Sequence, residues 1–395
     1  MSAPASRALL PIAGFYFCYY AAVGILLPFF PQHLRALGLS GAQMGLASAA
    51  GPLMALLSPP VWGFLADRTR RASLLLSIGA GSYTLALVPL LFAERLWQIL
   101  PLLLLGALFS TPLPTLTDSL TLQHLGTRSG GFARIRLFGS LGFIGSTTVF
   151  GLVYDGGAGF PPPVVLGALL CIGCAFVVSL AVRGSGEHAP VPSPAEAWAL
   201  ITDRRIALLV ASTCLHWLAC APYHMLFAVH VADLGLPPSV AGFGMGAGVA
   251  AEVAVMLAFP RLIRALPPPR ILAVAYLASS LRWLLVGVVS SPVLLVLLQV
   301  LHGLTFGAFL LSAIAFLAEN VPARLRATGQ ALYTSVTYGL GGILGYLSAG
   351  ALYEAIGSRN AFFASAALEW APLVLVLLLP PRSPAAMPVV GSRDP

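Results

Sequence analysis

The stretch FARIRLFGSLGF, residues 132–143, opens a long apolar segment and yet carries two arginines, Arg134 and Arg136. A charge at the centre of a membrane helix costs roughly 2.5–3.5 kcal/mol even on insertion-based scales. Arg134 lies nearer the start of the segment, where an arginine can anchor a helix at the membrane surface. Arg136 lies deeper, and it therefore predicts a membrane helix that faces other helices or an aqueous cavity.

The composition of the whole chain agrees with a membrane location. Only 9% of its residues are charged and 58% are hydrophobic, with a mean hydropathy of +0.91, whereas about 25% of residues are charged in soluble domains. We therefore predict an all-α integral membrane protein that lies in the lipid bilayer. The net charge of +8 is then a signal of membrane topology, and no nucleic-acid partner is expected.

About twelve stretches are long enough to cross the bilayer core, which needs about 20 apolar residues in a helix. They lie at residues 8–30, 42–65, 72–93, 97–120, 136–155, 162–182, 206–229, 239–260, 271–290, 293–318, 329–353 and 361–380. The longest polar break, 183–205, is rich in Pro, Gly and Ser and is predicted to be a cytoplasmic linker. It separates an N-terminal six-helix bundle (1–182) from a C-terminal one (206–380), and a cytoplasmic tail follows at 381–395.

The arginines fall unequally on the two sides of these spans. Most lie on the side that holds both chain termini, whereas Arg35, Arg95 and Arg359 lie on the other side. By the positive-inside rule both termini are cytoplasmic. We predict a multi-pass protein of the cell (inner or plasma) membrane.

The two halves also repeat each other. ALGLSGAQMG (36–45) resembles DLGLPPSVAG (233–242), and GLVYD (151–155) resembles GALYE (350–354) at nearly the same offset. Parallel repeats of six spans are the plan of a large class of transporters.

Six ionisable side chains lie well inside the predicted spans, where they are expected to face one another or water. They are Asp118, Arg136, Glu252, Arg282, His302 and Glu369. Asp118 ends the fourth span and Arg136 begins the fifth, so antiparallel packing brings them to similar depth. The pair can clamp a polar or anionic solute, or it can be a fixed ion pair that holds two helices together.

Glu252, Arg282 and His302 lie on three successive spans, one on each. A carboxylate and a histidine whose protonation changes with accessibility suit proton coupling. A packed, hydrogen-bonded His302 is the alternative. His216 and Tyr223 share one helical face, where cavity lining and ordinary packing are equally consistent, and Glu369 has no assigned role.

Enzyme chemistry has little support in the sequence. GFGMGAG (242–248) lies inside a predicted span and follows no strand, so we interpret it as a helix-packing stretch rather than a nucleotide loop. No Ser-His-Asp set and no metal-ligand spacing can be argued. We expect neither an enzyme nor a metal or organic cofactor, with a proton gradient as the energy source.

A resemblance to a known family rests first on GFLADRTRR (63–71), between the second and third spans. This stretch resembles the loop signature of the major facilitator superfamily. The resemblance implies a cytoplasmic gate in which Gly63, Asp67, Arg68 and Arg71 hold helices together in one state of a rocking cycle. The alternative is that the arginines are only positive-inside anchors.

Within that superfamily the chain resembles the branch that contains lactose permease, nucleoside:proton symporters and 3-phenylpropionate permeases. FARIRLFGSLGF, AEV (251–253), RW (282–283) and LHGLTFG (301–307) carry this likeness over nearly the whole chain. It implies that Asp118 and Arg136 contact substrate, that Glu252 links the two halves, and that Arg282 and His302 belong to the coupling network.

Two departures shape the substrate expectation. Thr305 stands where lactose permease has a glutamate, and Phe143 stands where it stacks a sugar on a tryptophan. An aromatic carboxylate can place its anion on Arg136 and its ring against Phe143. We expect a monomeric, proton-coupled importer of such a small solute, with Asp118, Arg136, Phe143, Glu252, His216 and Tyr223 as candidate substrate contacts.

Three other functions remain open from the sequence. The chain can be a nucleoside or sugar symporter, or an exporter of drugs or metabolites. A membrane receptor that transports nothing is the alternative from another class, and it explains the repeated halves poorly.

Overall fold

Long helices make up the whole of the described structure, as the apolar sequence predicts. The structure, a computed structural model, describes residues 3–125, 129–184, 200, 202–322 and 325–380. Within these ranges every regular element is helical. The predicted all-α membrane fold is confirmed, while most of the predicted linker and the whole predicted tail lie outside the described residues.

The described part of the first half contains seven helices. They are α1 (Ala3–Ala36), α2 (Gly41–Thr69), α3 (Ala72–Leu90), α4 (Leu96–Ser110), α5 (Leu113–Leu125), α6 (Ser129–Val153) and α7 (Pro163–Ser179). α4 and α5 together make one membrane span that is interrupted near Pro112. Proline removes a backbone donor and clashes with the preceding turn, which accounts for the interruption.

The second half begins where Asp203 caps a helix. Its side chain accepts hydrogen bonds from the backbone N–H groups of Arg205 and Ile206, so the last two residues of the predicted linker belong to that helix. The helices are α8 (Arg204–Asp233), α9 (Pro238–Ala265), α10 (Pro268–Val288), α11 (Pro292–Leu298), α12 (Phe309–Asn320), α13 (Arg326–Thr334), α14 (Gly341–Leu368) and α15 (Trp370–Leu377). A 3-10 turn (Gln299–Leu301) and a π-helix (Gly303–Ala308) join α11 to α12, and a π-helix (Ser335–Leu340) joins α13 to α14.

Among the described residues, ten helical stretches are long and apolar enough to cross a membrane, and the shorter Pro163–Ser179 is apolar as well. The last of the ten, Thr328–Leu377, has 50 residues. At 1.5 Å per residue a straight helix of that length would run about 75 Å, more than twice the bilayer core. Gly357 breaks it, because its φ of 78° lies in the left-handed region that glycine tolerates. The stretch therefore divides into two crossings, as the predicted spans 329–353 and 361–380 require.

Small residues bring the two halves of the chain together. α6 packs against α9, α2 against α14, and α1 against α8. A Cβ on Gly151 would lie 3.1 Å from the Cα of Gly242, and a Cβ on Gly350 would lie 2.9 Å from the Cα of Gly45. These glycines permit close helix contact, as small residues commonly do in membrane proteins.

Polar contacts between the halves lie at one end of the bundle, where α1 leads into α2 and α8 into α9. We call it the distal end. Arg35 of α1 forms an ion pair with Asp233 of α8 at 2.6 Å. The carboxylate of Glu354 on α14 accepts from Ser40 Oγ at 3.0 Å and from the Ala42 N–H at 2.9 Å, at the start of α2. In this conformation, these contacts hold the two halves together at the distal end.

Candidate functional site

Asp118 and Arg136 meet between α5 and α6. Arg136 NH1 lies 2.9 Å and 3.1 Å from the two carboxylate oxygens of Asp118. The hydroxyl of Tyr16 on α1 also donates to Asp118. The side chains of Arg136 and Asp118 are 46% and 33% exposed. The structure thus brings the two predicted residues together in a pair that a solute can reach.

Asp118 uses only part of the hydrogen-bonding capacity of Arg136. Both of its contacts use one nitrogen of the guanidinium, which carries five N–H donors in all. The carboxylate of Glu252, from the other half of the chain, lies within electrostatic range of Arg136. An anion that enters between the halves can therefore compete with Asp118 for Arg136.

Phe143 lies two turns after Arg136 but within the apolar core. It is 7% exposed, and its backbone carbonyl would lie 2.7 Å from a Cβ on Gly24 of α1. The ring has little free surface in this conformation. Its contact with a solute stays a prediction.

Arg282 is fully buried on α10 without a carboxylate within hydrogen-bond distance in the described structure. NH2 donates to Gln299 Oε1 at 2.5 Å, and NH1 donates to Thr305 Oγ1 at 2.9 Å and to His302 Nδ1 at 3.1 Å. The guanidinium carbon also lies 4.1 Å from the ring centroid of Tyr223. Cation–π contact and neutral acceptors together replace the water that burial removes.

The contact with Arg282 fixes the tautomer of His302. Because a guanidinium can only donate, His302 Nδ1 must be the unprotonated nitrogen, and the proton sits on Nε2. His302 Nε2 lies 3.8 Å from Glu252 Oε2. The structure therefore aligns Glu252, His302 and Arg282, the three residues predicted to form a coupling network.

Glu369, which had no assigned role, has a partner that the sequence did not reveal. Its two oxygens lie 3.0 Å and 2.9 Å from His216 Nδ1, and Trp283 Nε1 donates to it at 3.1 Å. His216 Nε2 lies 3.0 Å from the carbonyl oxygen of Thr305. The carbonyl oxygen can only accept, so Nε2 carries a proton, and an imidazolium paired with a carboxylate satisfies both contacts of the ring. Within the membrane interior, His216 and Glu369 form a completely buried ion pair.

His216, Glu369 and the nearby Cys220 are also the described residues closest to a metal-ligand set. Their donor atoms lie within 4.8 Å of one another. Both nitrogens of His216 are already used in the hydrogen bonds above, and all three side chains are buried. This arrangement fits an internal hydrogen-bond network better than a metal site.

The π-helix Gly303–Ala308 connects the two buried clusters. Thr305 accepts from Arg282 through its side chain and from His216 through its carbonyl oxygen. π-helical turns widen the backbone and are frequent at functional sites. Thr305 thus occupies a structural junction at the position where the resemblance had suggested a missing glutamate.

The partly exposed aromatic residues of α8 are displaced by one residue from the predicted pair. His216 and Tyr223 are buried, at 0% and 2% exposure. Trp217 and His224, the next residue in each case, keep partial exposure and touch each other with ring centroids 5.0 Å apart. A substrate contact for His216 or Tyr223 stays a prediction.

The predicted gate stretch lies at the end of α2 opposite the distal end. Arg68 and Arg71 are exposed and Gly63 is half-buried, whereas the side chain of Asp67 lies outside the described residues. Arg70 adopts a left-handed φ of 54° and ends α2. The gate role of this stretch stays a prediction.

Comparison with known proteins places this architecture in a family context. A family model described as the MFS_1 like family matches residues 9–364. Maltose permease of Geobacillus stearothermophilus is 29% identical over 95% of each chain. The probable 3-phenylpropionic acid transporter of Escherichia coli K12 is 28% identical over 87% of this chain and 90% of that one.

A crystal structure of a mutant of the nucleoside transporter NupG has the same fold, with a TM-score of 0.86 and 18% identity over 94% of this chain and 99% of that one. These proteins are transporters rather than enzymes, which agrees with the expectation from the sequence.

Proposed function

This chain belongs to the MFS_1 like family and is a membrane transporter of a small solute, and we propose that it imports an aromatic carboxylate together with a proton. The observation that carries the proposal is the half-exposed pair of Arg136 and Asp118 in electrostatic range of Glu252. A guanidinium in that position can bind a carboxylate through parallel N–H donors. One relative of similar length is named as a probable transporter of 3-phenylpropionic acid.

The balance of charge among the ionisable side chains inside the spans supports coupling between the anion and the proton. Arg136, Arg282 and the imidazolium of His216 carry positive charge, and Asp118, Glu369 and an ionised Glu252 carry negative charge. These charges sum to zero. A proton bound by Glu252 leaves one surplus positive charge, which is costly in a medium of low dielectric constant. A bound monoanion restores neutrality, so each ligand favours the binding of the other.

The aligned cluster can respond to the protonation of Glu252. His302 carries its proton on Nε2, toward Glu252 at 3.8 Å. A small approach of the two side chains would form a hydrogen bond between them, and Arg282 would hold the imidazole in place through Nδ1. Protonation of Glu252 would neutralise its carboxylate and weaken its attraction to the Nε2–H of His302, so the two side chains would separate.

The way the halves are joined supports alternating access. The ion pair of Arg35 and Asp233 and the contacts of Glu354 tie the distal end. In the proposed cycle the two six-helix halves rock about the site formed by Arg136 and Asp118, as in other transporters with repeated halves. The distal contacts would then break when the solute enters from that side.

Uptake by purified protein in liposomes tests this function. With an inwardly directed proton gradient, we expect accumulation of labelled 3-phenylpropionate, loss of accumulation in Arg136→Ala, and loss of proton dependence in Glu252→Gln. Arg264→Ala, which removes an exposed arginine at the end of α9, is the matched control and should transport normally.

Uptake that is unchanged by Arg136→Ala would refute the carboxylate site. Transport of maltose or uridine in place of 3-phenylpropionate would assign the protein to the sugar or nucleoside alternative. Outward transport of the acid would refute import.

A further inference from the structure

Four aromatic side chains of the C-terminal half remain partly exposed although the residue that precedes each of them is buried. They are Trp217 and His224 of α8, Phe306 of the first π-helix and Tyr338 of the second. The buried preceding residues are His216, Tyr223, Thr305 and Thr337. We call these four side chains the aromatic recess.

The rings of the recess surround Trp217. The centroid of the Trp217 ring lies 4.6 Å from that of Tyr338 at an interplanar angle of 87°, and 5.9 Å from that of Phe306 at 47°. These contacts are edge-on or tilted rather than a closed stack, and all four side chains keep partial exposure. An exposed ring face is a favourable surface for another ring, with centroids about 4.5–7 Å apart.

The recess borders the N-terminal half of the chain. Tyr338 lies in electrostatic range of Glu252, which in turn lies in range of Arg136. A Cβ on Gly342 would lie 2.9 Å from Pro52 of α2 and 3.5 Å from the indole nitrogen of Trp217. Helix α2 of the N-terminal half therefore borders the recess next to Trp217.

The recess is also in contact with His302, which faces Glu252. Phe306 stacks on the imidazole of His302, with centroids 5.4 Å apart and planes within 5° of each other. A ring bound against Phe306 would therefore restrict the imidazole that faces Glu252.

We propose that the aromatic recess is the subsite for a planar aromatic ring of the transported solute, and that Phe306 transmits its occupancy to His302. The inference rests on the proposed transport of a small solute, and it assigns the ring to α8 and the two π-helices rather than to Phe143. The anionic end of the same solute lies toward Arg136.

Equilibrium binding to the purified full-length protein, measured by titration calorimetry, distinguishes the contribution of the aromatic ring to affinity from that of the carboxylate. The probes are 3-phenylpropionate and 3-cyclohexylpropionate, which share the carboxylate and the chain length but differ in the π-face. We expect wild-type protein to prefer the phenyl probe. Trp217→Leu and Phe306→Leu should weaken its binding about two- to tenfold and remove the preference, since aromatic pairs contribute about 0.5–1.5 kcal/mol beyond burial.

Two controls show that any loss is local. Trp97→Leu changes a tryptophan that is 70% exposed at the start of α4 and should leave binding unchanged. Trp217→Phe keeps a π-face and should restore most of the affinity. A single symmetric peak in size-exclusion chromatography checks that each variant is folded.

The outcomes distinguish the subsite from the proposed acid transport. Arg136→Ala should weaken both probes equally. If uridine binds instead of the acids and Trp217→Leu weakens it, the recess stands and the carboxylate proposal fails. If Trp217→Leu and Phe306→Leu leave the affinity for the bound aromatic probe unchanged, the recess is refuted while Arg136 can still bind the anion. Failure of folded wild-type protein to bind any ring-bearing probe refutes both.

Discussion

The buried pair of His216 and Glu369 makes a sharp prediction about stability. His216→Leu leaves the Glu369 carboxylate with Trp283 Nε1, at 3.1 Å, as its remaining partner. Removal of one member of a buried ion pair typically costs about 3–5 kcal/mol, because the other charge loses its compensation. Glu369→Leu instead leaves His216 Nδ1 and the Trp283 N–H without an acceptor, at about 1–3 kcal/mol for each buried group.

The double variant His216→Leu/Glu369→Leu removes both charges together. It leaves two neutral groups unpaired, the Trp283 N–H and the Thr305 carbonyl, and it adds apolar volume. We therefore expect the double variant to be more stable than His216→Leu alone, with a favourable coupling of about 2 kcal/mol or more between the two positions in wild-type protein.

The free energy of unfolding can be measured by titrating the protein in mixed micelles with a denaturing detergent and following the helical signal in circular dichroism. Thr121→Val is the matched control partner, since Thr121 is buried on α5 and bonds to its own helix. Its effect should add to that of His216→Leu. If the effects of His216→Leu and Glu369→Leu also add within about 0.5 kcal/mol, the ion pair and the reasoning behind it are wrong.

Three further predictions concern the distal end and the buried arginine. Gly350→Val should separate α2 from α14 and lengthen the distance between spin labels on their distal loops, measured in a cysteine-free background. Arg35→Gln removes the 2.6 Å ion pair with Asp233, and it should shift the same distance distribution while changing the unfolding free energy by less than about 1 kcal/mol, because the pair is partly exposed. Thr305→Val should lower the unfolding free energy by about 1.5–3 kcal/mol through the lost hydrogen bond from Arg282, whereas Thr305→Ser should not.

The membrane helices and the main charged contacts were predictable from the sequence because lipid imposes strict rules. Backbone groups must be paired within helices, and charges must avoid lipid. Those rules located the helical spans, and they singled out Arg136 and Arg282 as residues that need polar surroundings. The short loop between α5 and α6 was enough to predict that Asp118 would meet Arg136, since antiparallel neighbours share depth.

The partner of Glu369 was not predictable by the same reasoning. His216 and Glu369 are separated by 153 positions, and no loop length relates α8 to the last helix. The interruption of the tenth span by a π-helix was equally hidden, because residues 293–318 form a continuous apolar pattern. The role of the π-helix becomes clear only from the structure, in which Thr305 accepts hydrogen bonds from both Arg282 and His216.

The one-residue displacement on α8 has a more general cause. In a soluble protein the polar face of a helix marks the side toward water, and the apolar face marks the core. In a membrane bundle the lipid side and the packed side are both apolar, so the sequence pattern loses that distinction.

His216 and Tyr223 are the more polar pair and were the natural candidates for a watery cavity. Instead, His216 pairs with Glu369, and the ring of Tyr223 packs against the guanidinium of Arg282. The neighbouring Trp217 and His224 keep partial exposure, which is why the proposed ring subsite is built on them rather than on the predicted pair.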